Sequence, residues 1–362
     1  MKKLLSLSCL ILATLAVAFI GCKPSDSAPE LLNVSYDPTR ELYKGVNEQF
    51  EKYYLEKHGT PIKVNQSHGG SGAQSSSVIN GLEADVVTLA LAYDIDAIIL
   101  NTNPPIIEKD WQKRLPNNSC PYTSTVVFLV RKGNPKNIKD WNDLIDRDDV
   151  EIITPNPKTS GGARWNFLAA YGYVLDKNFD GGLDAYVSAL NDPAQADSVA
   201  AAKKKAEDAM AKMFNQKKVP VMDKGARGAT NTFVQNKKGD VLLAWENEAL
   251  LYMQNSPEAD IEIVVPSISI VAEPPVTIVD KNVDKKGTRE MAQEYLEYLY
   301  TPEAQDVIAK HFYRPNDEDV MKKNENTFPK LRLFKIDDVF GGWEKAQAEF
   351  FTDKAFFDQI MK

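Results

Sequence analysis

The chain has 362 residues, of which 43% are apolar and 26% charged, and its formal net charge is −8. That length and apolar content support one large globular domain or two medium ones, each with a sizeable core. The acidic balance excludes bulk electrostatic attraction to nucleic acid or to anionic lipid.

The N-terminus reads as a targeting segment. Lys2 and Lys3 precede an apolar run from Leu4 to Ile20, broken only by Ser6, Ser8 and Thr14. Gly21-Cys22 and the polar stretch Lys23-Pro24-Ser25-Asp26-Ser27 follow. Residues 1–21 are therefore expected to be an export signal and not a transmembrane helix. Two processing sites compete. Phe19-Ile20-Gly21-Cys22 resembles a bacterial lipobox, with Phe19 where Leu is usual; Cys22 would then carry lipid and begin the mature chain, and residues 22–30 would be a tether. Ala16-Val17-Ala18 is the alternative, an ordinary signal-peptidase site. Removing residues 1–21 takes away two lysines and no acid, so the charge of −8 becomes −10. Cys9 lies in the signal, Cys22 is the candidate anchor and Cys120 stands alone. An exported chain without a cysteine pair has no disulfide framework, so its fold must rest on its core.

Beyond the tether, short apolar runs alternate with amphipathic stretches. Leu31–Ser35 predicts a strand. Residues 38–57 predict a helix, with Leu42, Val46, Phe50 and Tyr54 at i+4 spacing and Gly59 just past its end. Ile62–Gln66 predicts a strand, 72–82 a helix and Ala84–Leu91 an apolar strand. Further strands are expected at 124–131, 150–154, 219–222, 240–245, 261–265 and 276–279, with helices at 162–175, 194–215 and 288–299. The helix at 194–215 is rich in Ala, Lys and Glu and reads as a solvated surface element. The alternation argues for α/β units with mostly parallel sheets. The mature length is large for one such sheet, so two lobes are expected. The chain is expected to cross between them near Pro121-Tyr122-Thr123-Ser124 and to return near 268–276. This assigns 31–120 to the first lobe and 121–270 to the second. Residues 271–362 complete the first lobe, with the lobe that takes the last thirty or so left open.

Three segments share one design, a strand that runs through a Gly, Ser or Pro signal into a helix start. They are Ser35-Tyr36-Asp37-Pro38-Thr39-Arg40-Glu41, Gln66-Ser67-His68-Gly69-Gly70-Ser71-Gly72-Ala73-Gln74 and Thr154-Pro155-Asn156-Pro157-Lys158-Thr159-Ser160-Gly161-Gly162-Ala163-Arg164-Trp165. In the first, Asp37 is placed to cap the helix and Pro38 to open it. Helix N-termini present unsatisfied N–H groups, glycines let main chain approach a ligand, and ligands of open α/β sheets bind at the carboxyl ends of the strands. Together these features point to a small anion, held by local N–H groups in a chain whose overall charge would repel it.

These strings, with Leu31-Leu32-Asn33-Val34 before the first and Ala244-Trp245-Glu246-Asn247-Glu248-Ala249 later, resemble the bacterial periplasmic sulfate-binding proteins of sulfate ABC importers. The resemblance runs from about Leu31 to the C-terminus. It departs from the family at the lipobox-like start and in a longer segment around 190–218. It implies a two-lobed α/β periplasmic binding protein of type II. Each lobe would be a mostly parallel sheet flanked by helices, with sulfate held dehydrated in the cleft by neutral donors and passed to a membrane permease. Carried over by motif, Asp37 and Ser71 donate from the first lobe, and Ser160, Gly161 and Gly162 donate from the second, the Ser160 hydroxyl adding to the backbone groups. Ala226 adds an N–H and Trp245 its indole N–H. The Asp37 carboxylate is expected to cap its own helix. Arg164 is read as pairing with an acid or a carbonyl and stiffening its loop, and Arg40 and Arg227 are read likewise. Glu246 and Glu248 read as solvated or helix-starting. The thiosulfate-binding proteins form a sister group and are the nearer rival reading. Hydrolase chemistry is disfavoured because no G-x-S-x-G or P-loop string occurs, and His58, His68 and His311 show no metal spacing. The expected protein is a monomer that needs no cofactor, contacts no nucleic acid and meets the membrane only through its lipid.

Overall fold

The computed structural model describes residues 28–361; the signal, the alternative cleavage sites and Cys22 lie outside the described residues. The first sheet begins with β1 (Glu30–Tyr36), which is central and buried along most of its length. Pro38 occupies a 3-10 turn over Asp37–Thr39, and α1 (Arg40–His58) follows, ending where Gly59 takes the left-handed conformation that favours glycine. β2 (Lys63–Gly69) pairs parallel to β1, and α2 (Ser71–Ile79) leads to β3 (Val86–Thr88), parallel to β1 on its other side. α3 (Ala92–Leu100) then follows, in a stretch to which the sequence pattern assigns no element.

β4 (Tyr122–Thr123) leads out of this sheet, and β5 (Val126–Arg131) enters the second one. β6 (Ile152–Pro155) runs into α4 (Gly161–Asn178), which is followed by α5 (Ala196–Met213). β7 (Met222–Asp223) feeds α6 (Ala226–Val234), β8 (Val241–Trp245) feeds α7 (Glu246–Asn255), and β9 (Ile261–Val264) closes the sheet, whose order is β7-β6-β8-β5-β9. β6 is parallel to β7 and β8, while β5 is antiparallel to β8 and β9. The chain returns through β10 (Ile268–Ile270) to β11 (Val276–Ile278), which joins the first sheet antiparallel to β3. Ser124 and Ala272, one on each crossing segment, form an isolated bridge to each other. Both sheets are thus mixed. The antiparallel members are the strands at the crossings, which the chain enters from the opposite lobe and not through a crossover helix.

Residues 314–361 add short elements. β12 (Arg314–Pro315) pairs with β4, and β13 (Arg332–Phe334) pairs with β10. The remainder packs on α4. Trp343 stands edge-on to Trp165 with centroids 4.6 Å apart, and Phe350, Phe351, Phe356 and Phe357 surround Phe167 at 5.4–6.4 Å. This load explains why α4 is buried over Gly161–Leu175 on every face. Among aromatic residues, edge-to-face pairs add about 0.5–1.5 kcal/mol each beyond area burial. α5 is only half a surface helix: Ala202, Ala206, Ala209, Met210 and Met213 are buried, so its charged face alone is solvated.

Phe167 is fully buried at the centre of these rings. Phe167→Ala is expected to lower unfolding free energy by roughly 3–5 kcal/mol, measured by urea titration of the unliganded protein. A loss under about 1 kcal/mol would mean that the C-terminal rings do not form one packed unit with α4.

Candidate anion-binding site

At the carboxyl edges of the two sheets, β1, β2, β6, β7 and β8 are each followed by a helical turn, after a loop of five residues in the case of β6. The residues at the starts of α2, α4, α6 and α7 are Gly70, Ser160, Gly225 and Trp245, and none of their side chains caps its helix. The first N–H groups of such helices have no partner within the helix, and together with the helix dipole they favour negative charge.

These starts face one another across the cleft. A Cβ built on Gly161 would lie 3.2 Å from Ser71 Cβ and 2.7 Å from Ala90 Cβ. One on Gly162 would lie 3.3 Å from the Trp245 indole nitrogen and 3.7 Å from Ser160 Oγ. One on Gly225, next to Ala226, would lie 3.1 Å from Asp37 Oδ2. Tyr36, beside Asp37, packs edge-on against Trp245 at 5.7 Å. The fold therefore brings together Asp37, Ser71, Ser160, Gly161, Gly162, Ala226 and Trp245, although up to about two hundred residues separate them in the chain.

The donors differ in what they already hold. Ser71 Oγ accepts the Ala90 N–H at 3.0 Å, which leaves its own proton to point elsewhere. The Ser160 N–H donates to Asn156 O at 2.8 Å, so at this residue only the hydroxyl can serve a ligand. The Trp245 indole N–H lies 3.3 Å from Gly162 O, at the long end of the hydrogen-bond range. Ser71, Ser160 and Trp245 are each buried, with 2–3% exposure, so bonds made here escape competition from bulk water.

The Asp37 carboxylate departs from expectation. Asp37 is the first residue of the 3-10 turn while Tyr36 holds the capping position, and the carboxylate lies 3.7 Å from Arg40. Prolines set φ but give up an N–H, so Pro38 removes one of the groups that a capping Asp would serve. Arg40 is itself exposed, and this carboxylate is its neighbour in the same turn. Arg164 is buried; its Nη1 meets Asp94 Oδ1 at 3.0 Å and its Nε meets Pro157 O at 2.9 Å. Arg227 joins Glu41 of α1 at 3.1 Å to Glu248 of α7 at 3.1 Å. Glu246 pairs with Arg314 at 2.7 Å. Glu246 and Glu248 do start α7, but they are buried and ion-paired, not solvated.

Asp94 and Arg314 belong to none of the quoted strings, and Glu41 ends one without any sign of its Arg227 partner; the tertiary contacts reveal all three. A buried acid at the start of an apolar helix, as in Tyr93-Asp94-Ile95, was the one available signal. Among the described residues no group of His, Cys, Asp and Glu could hold a metal ion.

Residues 31–314 match the model of the bacterial extracellular solute-binding protein family. The chain belongs to that family. It is 57% identical to the sulfate-binding protein of Escherichia coli (strain K12) over 333 residues, 92% of this chain and 93% of that one. It is 44% identical to the thiosulfate-binding protein of Pseudomonas aeruginosa over 360 residues, 99% of each chain. Among solved structures it superposes on the sulfate-binding protein SubI from Mycobacterium tuberculosis H37Rv with a TM-score of 0.74 at 28% identity, covering 89% of this chain and 99% of that one. A periplasmic thiamin-binding protein, at 15% identity and a TM-score of 0.54, shares the fold. The family and the fold make this a two-lobed extracytoplasmic solute-binding protein, and no described helix is long and apolar enough to cross a membrane.

The bridge through Arg227 should be visible in stability. Burial pushes the Glu248 carboxyl up, and Arg227 opposes that shift. Burial also works against the Arg227 charge, but Glu248 and Glu41 outweigh it and hold its pKa above the usual range. Arg227→Met leaves Glu248 buried with no cation. A carboxyl raised in the folded state stabilises below its unfolded pKa and loses that contribution as pH rises through the folded value. The substitution is therefore expected to cost more at pH 8, roughly 1–3 kcal/mol, than at pH 5. Urea midpoints at the two pH values check this; equal losses would show that Glu248 does not depend on Arg227.

Proposed function

We propose that this chain binds sulfate outside the cytoplasm and hands it to the membrane permease of an ABC importer. The observation that carries the reading is the set of uncapped helix starts gathered at one cleft edge, where Arg164 and Arg227 are already paired with acids. Donors from the first lobe would be the Asp37 N–H and Ser71. From the second lobe, the Ser160 hydroxyl, the Gly161, Gly162 and Ala226 N–H groups and the Trp245 indole would serve. The names of the relatives at 57% and 44% identity support sulfate and, second, thiosulfate, which presents three similar oxygens.

Burying a dianion is costly unless each oxygen is hydrogen-bonded, and charge-assisted bonds contribute about 1.5–3 kcal/mol each. A pocket of donors alone also selects. Hydrogen phosphate carries a proton that the backbone N–H groups and the Trp245 indole N–H, which only donate, cannot accept. Arg164 and Arg227 act here as struts, tied to acids, and not as counter-charges. Binding without chemistry fits this set, since it holds no nucleophile with a base beside it. The lobe boundaries near residues 120 and 270 are supported by the Ser124–Ala272 bridge, and the packing of Trp343–Phe357 on α4 supports placing the last residues with the second lobe. The protein would work as a monomer, tethered through lipid on Cys22.

The mechanism makes a differential prediction. Ser160→Ala and Trp245→Phe each remove one neutral donor and are expected to lower sulfate affinity about ten- to hundredfold by calorimetry. Affinity should barely change between about pH 5 and 8, because sulfate stays a dianion and the donors stay neutral. If Arg164→Ala alone abolishes binding while both donor variants bind normally, the neutral-donor mechanism is wrong.

For the N-terminus, mass spectrometry of membrane-extracted protein is expected to find Cys22 as the first residue, carrying lipid. A soluble chain beginning at Phe19 would instead establish cleavage after Ala16-Val17-Ala18.

A further inference from the structure

Gly70 lies between β2 and α2 with φ −59° and ψ 136°, a conformation open to any residue. No backbone demand accounts for a glycine there. A contact does. A Cβ built on Gly70 would lie 3.0 Å from the Thr159 carbonyl oxygen and 3.4 Å from the Lys224 carbonyl oxygen. Both neighbours are main chain, and both belong to the other lobe: Thr159 precedes Ser160, and Lys224 stands two residues before Ala226. They are also tied to each other, since Thr159 Oγ1 donates to Lys224 O at 2.8 Å and the Thr159 N–H to Asn156 O at 3.0 Å. Neither carbonyl can turn aside without disturbing the loops that carry the donors. The neighbouring glycine is different, because a Cβ on Gly69 would meet only the Gln74 side chain of its own lobe, at an ordinary 3.6 Å.

We infer that Gly70 is the stop that sets how far the lobes close, and so a positioning residue that lets donors from both lobes converge on one anion. The inference rests on the sulfate reading above. A methyl at Gly70 touches nothing until the second lobe arrives, so it acts on the closed, liganded form. It should leave capture nearly unchanged and speed release.

The test compares wild type, Gly70→Ala and Gly69→Ala by sulfate calorimetry, stopped-flow release and thermal unfolding without ligand. Overpacking of this kind is expected to weaken sulfate binding by Gly70→Ala about five- to hundredfold, mainly through faster dissociation. Gly69→Ala should bind as wild type does, and the unliganded thermal midpoints of all three should stay close together. A Gly70→Ala protein with wild-type affinity and release overturns this inference alone. So does a fall in its unliganded midpoint that accounts for the lost affinity, since the effect would then come from the α2 cap and not from closure. A flat wild-type titration overturns the sulfate reading and this inference with it.

Discussion

A helix start leaves N–H groups that its own helix cannot satisfy, and the organisation of this protein follows from gathering several such starts at one place. Each of the contributing strands delivers its chain to the same cleft edge, and each start lacks a capping side chain. Unsatisfied buried donors cost stability, so this arrangement must be held by the surrounding fold. Ser160 illustrates the point: it occupies the position where a serine ordinarily caps, yet its hydroxyl stays off its own helix.

The second requirement is that full charges near the cleft be occupied. Arg164 is bound to Asp94 and to a carbonyl, Arg227 to Glu41 and Glu248, and Arg314 to Glu246. Arg164–Asp94, Arg227–Glu41 and Arg314–Glu246 each join residues 121–270 to the segments before or after them. Their cations are therefore occupied by acids and are not free counter-charges.

Behind the site, rigidity comes from aromatic packing. α4 presents Gly161 and Gly162 at its start and carries the C-terminal rings along its length. Lys158, in the turn just before, reaches the Phe351 carbonyl at 3.0 Å and Asp358 at 3.1 Å, so that turn is tied to the C-terminal segment. Trp165 spans the cleft with its indole N–H on Ala90 O at 2.9 Å. Tyr36, Tyr43, Tyr122 and Tyr313 are all buried, and burial pushes their hydroxyls up so that they stay neutral.

The sequence by itself determined the α/β alternation, a helix over 38–57 that forms at Arg40–His58, and the three strand–turn–helix strings, because periodicity, caps and glycine signals are local properties. It also determined which loops could hold an anion, since an exposed helix start is readable from one segment. What it could not decide was how those segments meet. Ala84–Leu91 reads as one long strand, yet only Val86–Thr88 pairs, because the chain must turn there to place Ala90 against Gly161. The Asp37 carboxylate looked like a cap and instead lies beside Arg40, since Tyr36 took the capping position. Glu246 and Glu248 read as solvated or helix-starting; they do start α7, but they are buried, since Arg314 and Arg227 reach them from other elements. Partners of that kind, and the depth to which two lobes approach, are set by packing between distant segments, and no local pattern records them.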